Sequence, residues 1–154
     1  MDRVRLRRLA SGDMDAAAAV HRASFDDRLP WLSGLHTPEE DRAYFRERVF
    51  AESEVWGAFD GARLVALIAF RPVWVDQLYV LPGFQGQGVG TSLLDLAKAR
   101  SEALSLWTFQ RNEGARRFYE RHGFGAVEES DGSRNEEREP DVLVVEAALF
   151  VGAE

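Results

Sequence analysis

Between Val75 and Arg100 the chain reads VDQLYVLPGFQGQGVGTSLLDLAKAR, with Gly83, Gly86, Gly88 and Gly90 spaced through the passage from a strand-like run into a helical pattern. A strand, a glycine-rich turn and a helix start present several unpaired backbone N–H groups, and the positive end of a helix dipole, to one point in space. The chemistry this allows is the holding of an anion, a phosphate above all. Glycine serves there because a side chain would forbid the turn's dihedrals or keep a phosphate oxygen away from the amides. A lone glycine more often makes only a tight turn, but four in this arrangement favour the anion. A Walker loop needs Gly-Lys followed by Ser or Thr, and here Gly90 runs directly into Thr91, which excludes that class. The dinucleotide fingerprint G-x-G-x-x-G, started at Gly86 and Gly88, calls for glycine where Thr91 stands.

Other chemistries are narrowed by composition. The chain of 154 residues holds no cysteine, so disulfides, thiolate metal sites and a cysteine acyl-enzyme are ruled out. His21, His36 and His122 are scattered without metal-ligand spacing, so no metal is expected. A net charge of −7 argues against a nucleic-acid partner, which would require a basic face. No basic start leads into an apolar stretch with a small-residue cleavage site, and no apolar run is long enough to cross a bilayer. A cytoplasmic protein without a membrane partner is the expectation.

The elements that must position the glycine turn follow from periodicity. VRLRRL alternates as a half-buried strand, and SGDMDAAAAVHRASF reads as a helix with a Ser/Asp start. In HTPEEDRAYFRERVFAE, Thr37 can cap a second helix, with Pro38 in its first position and Glu40 closing a capping box. Two apolar runs around Asp60-Gly61 read as a hairpin, and a further strand spans about Val73 to Val80 before Pro82. From Gly88 to Arg100, Val89, Leu93, Leu94 and Ala97 share one helical face. LSLWTF reads as a buried strand. NEGARRFYERHGF reads as a helix with Ala115, Phe118, Tyr119 and His122 on one stripe, ended by Gly123. AVEES and VLVVEAALF read as last strands, joined by the polar, acidic loop DGSRNEEREP. The order is β-α-α-β-β-β-α-β-α-β-β, an α/β fold with a mixed sheet, and the length fits one domain over residues 1–154.

Gln85-Gly86-Gln87-Gly88-Val89-Gly90 fits the pattern Q/R-x-x-G-x-G/A. LYVLP precedes it, and NEGARRFYERHGF follows it at a suitable distance. Together these motifs, spanning Val75 to Phe124, resemble the GNAT N-acetyltransferase superfamily, while the N-terminal third matches only in architecture. The resemblance implies a mixed, mostly antiparallel sheet flanked by helices and an enzyme that transfers an acetyl group from acetyl-CoA to a primary amine. It implies that the cofactor's pyrophosphate lies on the amides of Gln85, Gly86, Gln87, Gly88, Val89, Gly90 and Thr91. The pantetheine arm would then pair with the main chain of Leu78, Tyr79 and Val80. An N–H near Tyr79 or Val80 would polarise the thioester carbonyl. Asn112 would touch the cofactor, although it fits equally well as a helix N-cap. Tyr119 would be the catalytic acid, since a neutral phenol of pKa about 10 can protonate a departing thiolate; core packing beside Phe118 is the plainer role.

For the acceptor amine and its base the candidates are Trp31, His36, Asp76, Glu136 and Glu137, with Asp141, and for each acid a solvated surface carboxylate is the simpler account. Five acids, Asp131, Glu136, Glu137, Glu139 and Asp141, outnumber Arg134 and Arg138 in the last loop, which points to a cationic amine of a small molecule or a protein. The identity of that amine is not written in motifs. Family precedent allows a homodimer. The competing reading is a non-catalytic acyl-CoA-binding sensor or interaction module of the same fold, against which the retention of Tyr119 weighs.

Overall fold

A computed structural model describes residues 4–146. In it the chain divides into two compact units, the first running up to Arg71 and resuming over Val75–Arg100, the second made of Pro72–Trp74 and the chain from Ser101 onward.

The first unit begins with β1 (Val4–Arg8), whose alternating burial suits a strand at a sheet edge. A 3-10 turn leads into α1 (Met14–Arg28). Helix α2 (Pro38–Tyr44) starts as expected: the Thr37 hydroxyl accepts from the Glu40 N–H at 3.1 Å, and the Glu40 carboxylate accepts from the Thr37 N–H at 2.8 Å. It continues through a π-helical turn, Phe45–Val49, and a last helical turn, Phe50–Glu52. Such turns widen the helix by one residue and often mark functional positions. Here the turn buries both Phe45 and Val49.

Strands β2 (Glu54–Asp60) and β3 (Arg63–Arg71) form the expected hairpin, with Gly61 at φ 63° in its turn. Leu64 to Phe70 are buried without a break, because α1 packs against β3 as does α3 (Val89–Arg100). A strand covered on both faces has no polar side to display. Val89, Leu93, Leu94 and Ala97 are the buried residues of α3, as its periodicity predicts. The core of this unit gathers Met14, Ala17 and Val20 of α1, Phe45, and Leu67 of β3, with Tyr79 and Leu81 packed against it.

β4 (Trp74–Val80) follows a turn that places Val73 at φ 63°, so Val73 is a turn residue and not, as expected, the first of the strand. In the second unit, Trp74 pairs in parallel with Ser105 of β5 (Ser105–Phe109). β5 then pairs antiparallel with β7 (Asp141–Glu146), which pairs antiparallel with β6 (Phe124–Ser130). Helix α4 (Glu113–Arg121) lies between β5 and β6 in the chain and ends at Gly123, φ 91°. The element order is the expected one, and the seven strands are mostly antiparallel.

One expectation is corrected, and two features go beyond the sequence reading. β5 is buried only at Ser105 and Leu106, while Trp107 is 43% exposed, because an antiparallel strand can be apolar with one face uncovered. Of the stripe on α4, only Tyr119 is fully buried. The acidic loop is not a plain solvated connector: Glu139 is 4% exposed, and a Cβ on Gly132 would come within 2.5 Å of the Glu139 backbone. The end of the expected last strand, residues 147–150, lies outside the described residues. No helix among the described residues is long and apolar enough to cross a membrane.

Candidate functional site

The glycine turn sits in the first unit between β4 and α3. Gly86 and Gly88 adopt φ 75° and φ 83°, backbone that only glycine enters without strain. A Cβ added at Gly83, Gly86 or Gly88 would meet nothing within 4 Å, so close packing is not why these three are glycines. Phe84 and Gln85 donate back into the turn, to Leu81 and Pro82, whereas the N–H groups of Gly86, Gln87 and Gly88 find no hydrogen-bond partner among the described residues. Val89 and Gly90 open the first turn of α3, where helix geometry leaves N–H groups without an intrahelical acceptor. The result is a set of unpaired donors beside open space at a helix N-terminus, which fits the phosphate of a nucleotide-like ligand.

What holds this turn was not evident in the motif. The Gln85 side chain points back into the protein: its Nε2 donates to the Val80 carbonyl at 2.9 Å, and its Oε1 accepts from Arg28 Nη2 at 2.6 Å. Gln85 therefore braces the loop, and with its N–H turned to Pro82 it is a support of the anion site, not the donor expected from the motif. The Ser24 hydroxyl donates to the same Val80 carbonyl at 2.8 Å. With both lone pairs taken, that carbonyl has none left for a strand-like ligand. The Leu81 N–H donates to Val65 of β3 at 2.9 Å, so the Val80 carbonyl of the same peptide group, and with it the Val80 N–H, turns away from β3. Val80 is thus the better placed of the two N–H candidates considered for the thioester carbonyl. Leu78, Tyr79 and Val80 are all half-buried.

The acceptor candidates in this unit fare differently. Trp31 stands 45% exposed on the turn Pro30–Leu32. The His36 ring lies 3.6 Å from Glu40, and its carbonyl accepts from Arg22. Asp76 is held in a fork by Arg71, at 2.7 and 2.8 Å, and also accepts from Ser53. Its oxygens are thus committed to Arg71 and Ser53.

In the second unit, Asn112 is the N-cap of α4, its Oδ1 accepting from the Ala115 N–H at 3.2 Å, while its Nδ2 has no partner among the described residues. Tyr119 is 6% exposed and packs its ring edge-on against Phe118 and Phe124, at 5.2 and 5.4 Å. The loop acids are largely spoken for. Arg111 forks onto Glu139 at 2.6 and 2.9 Å. Asp141 accepts from Ser130 and Asn135, and Asp131 is held below the usual carboxylate range chiefly by the Ser133 N–H. Glu136 is exposed and Glu137 half-buried.

Sequence reasoning passed over Ser24, Arg28 and Gln77, and it noted His21 only as a scattered histidine. His21 is packed among aromatic rings, and burial holds its imidazole pKa below the usual value. Among the described residues no group of acidic, histidine or cysteine side chains could hold a metal ion.

The acetyltransferase (GNAT) family model matches residues 20–124. YafP of Escherichia coli (strain K12), an uncharacterized N-acetyltransferase, is 28% identical over 138 residues, covering 84% of this chain and 86% of that protein. Among solved structures, apo YjaB from Escherichia coli superposes with a TM-score of 0.77 at 22% identity, over 92% of this chain and 96% of that one. The PaiA N-acetyltransferase from Thermoplasma acidophilum, in complex with coenzyme A, gives 0.70 at 21% identity, over 93% and 98%. Likeness at these identities shows a shared fold.

Proposed function

The chain belongs to the GNAT acetyltransferase family and is an acyltransferase; from that premise we propose that it moves the acetyl group of acetyl-CoA directly onto a primary amine. The observation that carries this reading is the turn at Gly86 and Gly88, positive in φ, open where side chains would stand, and lined by unpaired N–H groups at the start of α3. In the proposed reaction the pyrophosphate rests on the amides of Gly86 to Thr91, and the pantetheine arm runs along Leu78 to Val80. The amine lone pair attacks the thioester carbon while the Val80 N–H steadies the developing oxyanion. The C–S bond breaks, and Tyr119 protonates the departing thiolate. Asn112 uses its unpaired Nδ2 on the cofactor. No covalent enzyme intermediate forms, in keeping with a chain that has no cysteine.

The acceptor is a cationic amine, attracted by Glu136 and Glu137, and the cytoplasm is the compartment this reading implies. Free thiol is measured on mixing the protein with acetyl-CoA and a panel of primary amines. Release above hydrolysis with at least one amine is expected, and tight binding of acetyl-CoA with no release would leave a binding module instead.

A further inference from the structure

Among the described residues two buried side-chain atoms have no hydrogen-bond partner, Nδ1 of His21 and Oε1 of Gln77. Both belong to the first unit. An unpaired polar atom in the interior costs about 1–3 kcal/mol, and native proteins retain few of them without a use. The His21 ring projects from α1 into a cage of rings: Phe25 at 5.6 Å, Phe45 of the π-helical turn at 5.5 Å, and Tyr79 of β4, met edge-on at 4.7 Å. Gln77 precedes Tyr79 by two residues on β4, so its side chain leaves the strand on the same face. That face is the one packed against the α1 core.

We propose that His21 is the proton acceptor of acyl transfer, Nε2 being its basic atom, and that Gln77 is a positioning residue that fixes the tautomer by accepting from Nδ1–H through a bridging water. The proposal rests on the acyl-transfer reading above, in which the reacting arm lies along Leu78 to Val80, the stretch whose central side chain His21 touches. Because Nδ1 is sealed, any proton that the ring exchanges with its surroundings passes through Nε2. Nε2 is basic only when Nδ1 carries the ring's single proton, and that proton needs an acceptor. The Gln77 carbonyl oxygen on the same face of β4, which makes no direct bond to the ring, supplies one through a bridging water.

The imidazole is neutral at pH 7, because desolvation outweighs the attraction of Asp41 and Asp26, while Arg22 and His36 push the same way as burial. Asp41 is further occupied by Arg22 at 2.9 Å. So weak a base does not strip a free ammonium. It does suit the adduct formed once the neutral amine has added to the carbonyl carbon, whose N⁺–H is far more acidic. That proton passes to Nε2, the C–S electron pair leaves with sulfur, and the thiolate is protonated by the acid.

The test compares the wild type with His21→Phe, which keeps a ring in the cage, and with Gln77→Leu. Turnover, acetyl-CoA affinity and pH profile are read together with the histidine tautomer from long-range ¹⁵N–¹H NMR. His21→Phe should lose about 10²-fold or more in turnover at unchanged acetyl-CoA affinity and should lack the acid limb of the wild-type profile. Gln77→Leu should lose less and shift the ring proton from Nδ1 to Nε2. Wild-type transfer that survives His21→Phe with its acid limb intact, or a wild-type ring protonated on Nε2, overturns the proposal alone. A wild type that acetylates no amine overturns the acyl-transfer reading and this proposal with it.

Discussion

Tyr119 and His21 are both enclosed by aromatic rings, and enclosure acts differently on each. A buried phenol stays neutral and keeps a proton to give, so burial does not conflict with an acid's role. Tyr119→Phe retains the contacts to Phe118 and Phe124, so stability and acetyl-CoA affinity should hold while turnover falls about 10²–10⁴-fold. A twofold effect in steady-state kinetics would leave Tyr119 with packing as its whole role. Burial of His21 disfavours its charged form and so lowers its folded-state pKa below the unfolded value of about 6.5. The unfolded chain then takes up a proton that the folded ring refuses, so this residue lowers stability as pH falls below that value and has no effect above it. Thermal melts of His21→Phe should therefore lose less Tm than the wild type between neutral pH and about pH 5, whereas parallel curves would show that the ring protonates freely when folded.

At the scale of elements, the legible features were those whose cause lies within a few residues. The Thr37–Glu40 box, the Gly61 hairpin turn, the Gly123 helix stop and the apolar face of α3 each follow from local chemistry. Features made by distant partners were hidden. Ser24 reaches a carbonyl 56 positions away and Arg111 a carboxylate 28 away, so neither the saturated Val80 carbonyl nor the tethered loop could be read from spacing. The same holds for Asp76, whose fork from Arg71 depends on how the β3–β4 turn aims both side chains. Tethering also sharpens what the last loop can do. Glu139, Asp141 and Asp131 hold it in shape, and Glu136 and Glu137 are the two acids proposed to attract an acceptor. Replacing that pair by Gln should raise the acceptor KM and reduce the salt sensitivity of kcat/KM, with Tm and acetyl-CoA affinity unchanged. Kinetics indistinguishable from wild type across a salt series would reduce the pair to surface carboxylates.

For the whole molecule, a net charge of −7 repels an anionic cofactor at long range and draws in a cationic acceptor. Cofactor affinity must then come from short-range donors, which places the weight on the turn at Gly88. Alanine there strains a backbone at φ 83°, at a cost of about 1–2 kcal/mol, but meets open space. Glutamate imposes the same strain and adds a carboxylate beside the N–H groups. Calorimetric titration of acetyl-CoA into the wild type, Gly88→Ala and Gly88→Glu, each verified as folded by circular dichroism, separates strain from charge. The account predicts weakened but measurable binding by Gly88→Ala and none by Gly88→Glu. Wild-type affinity in a folded Gly88→Glu protein would contradict it.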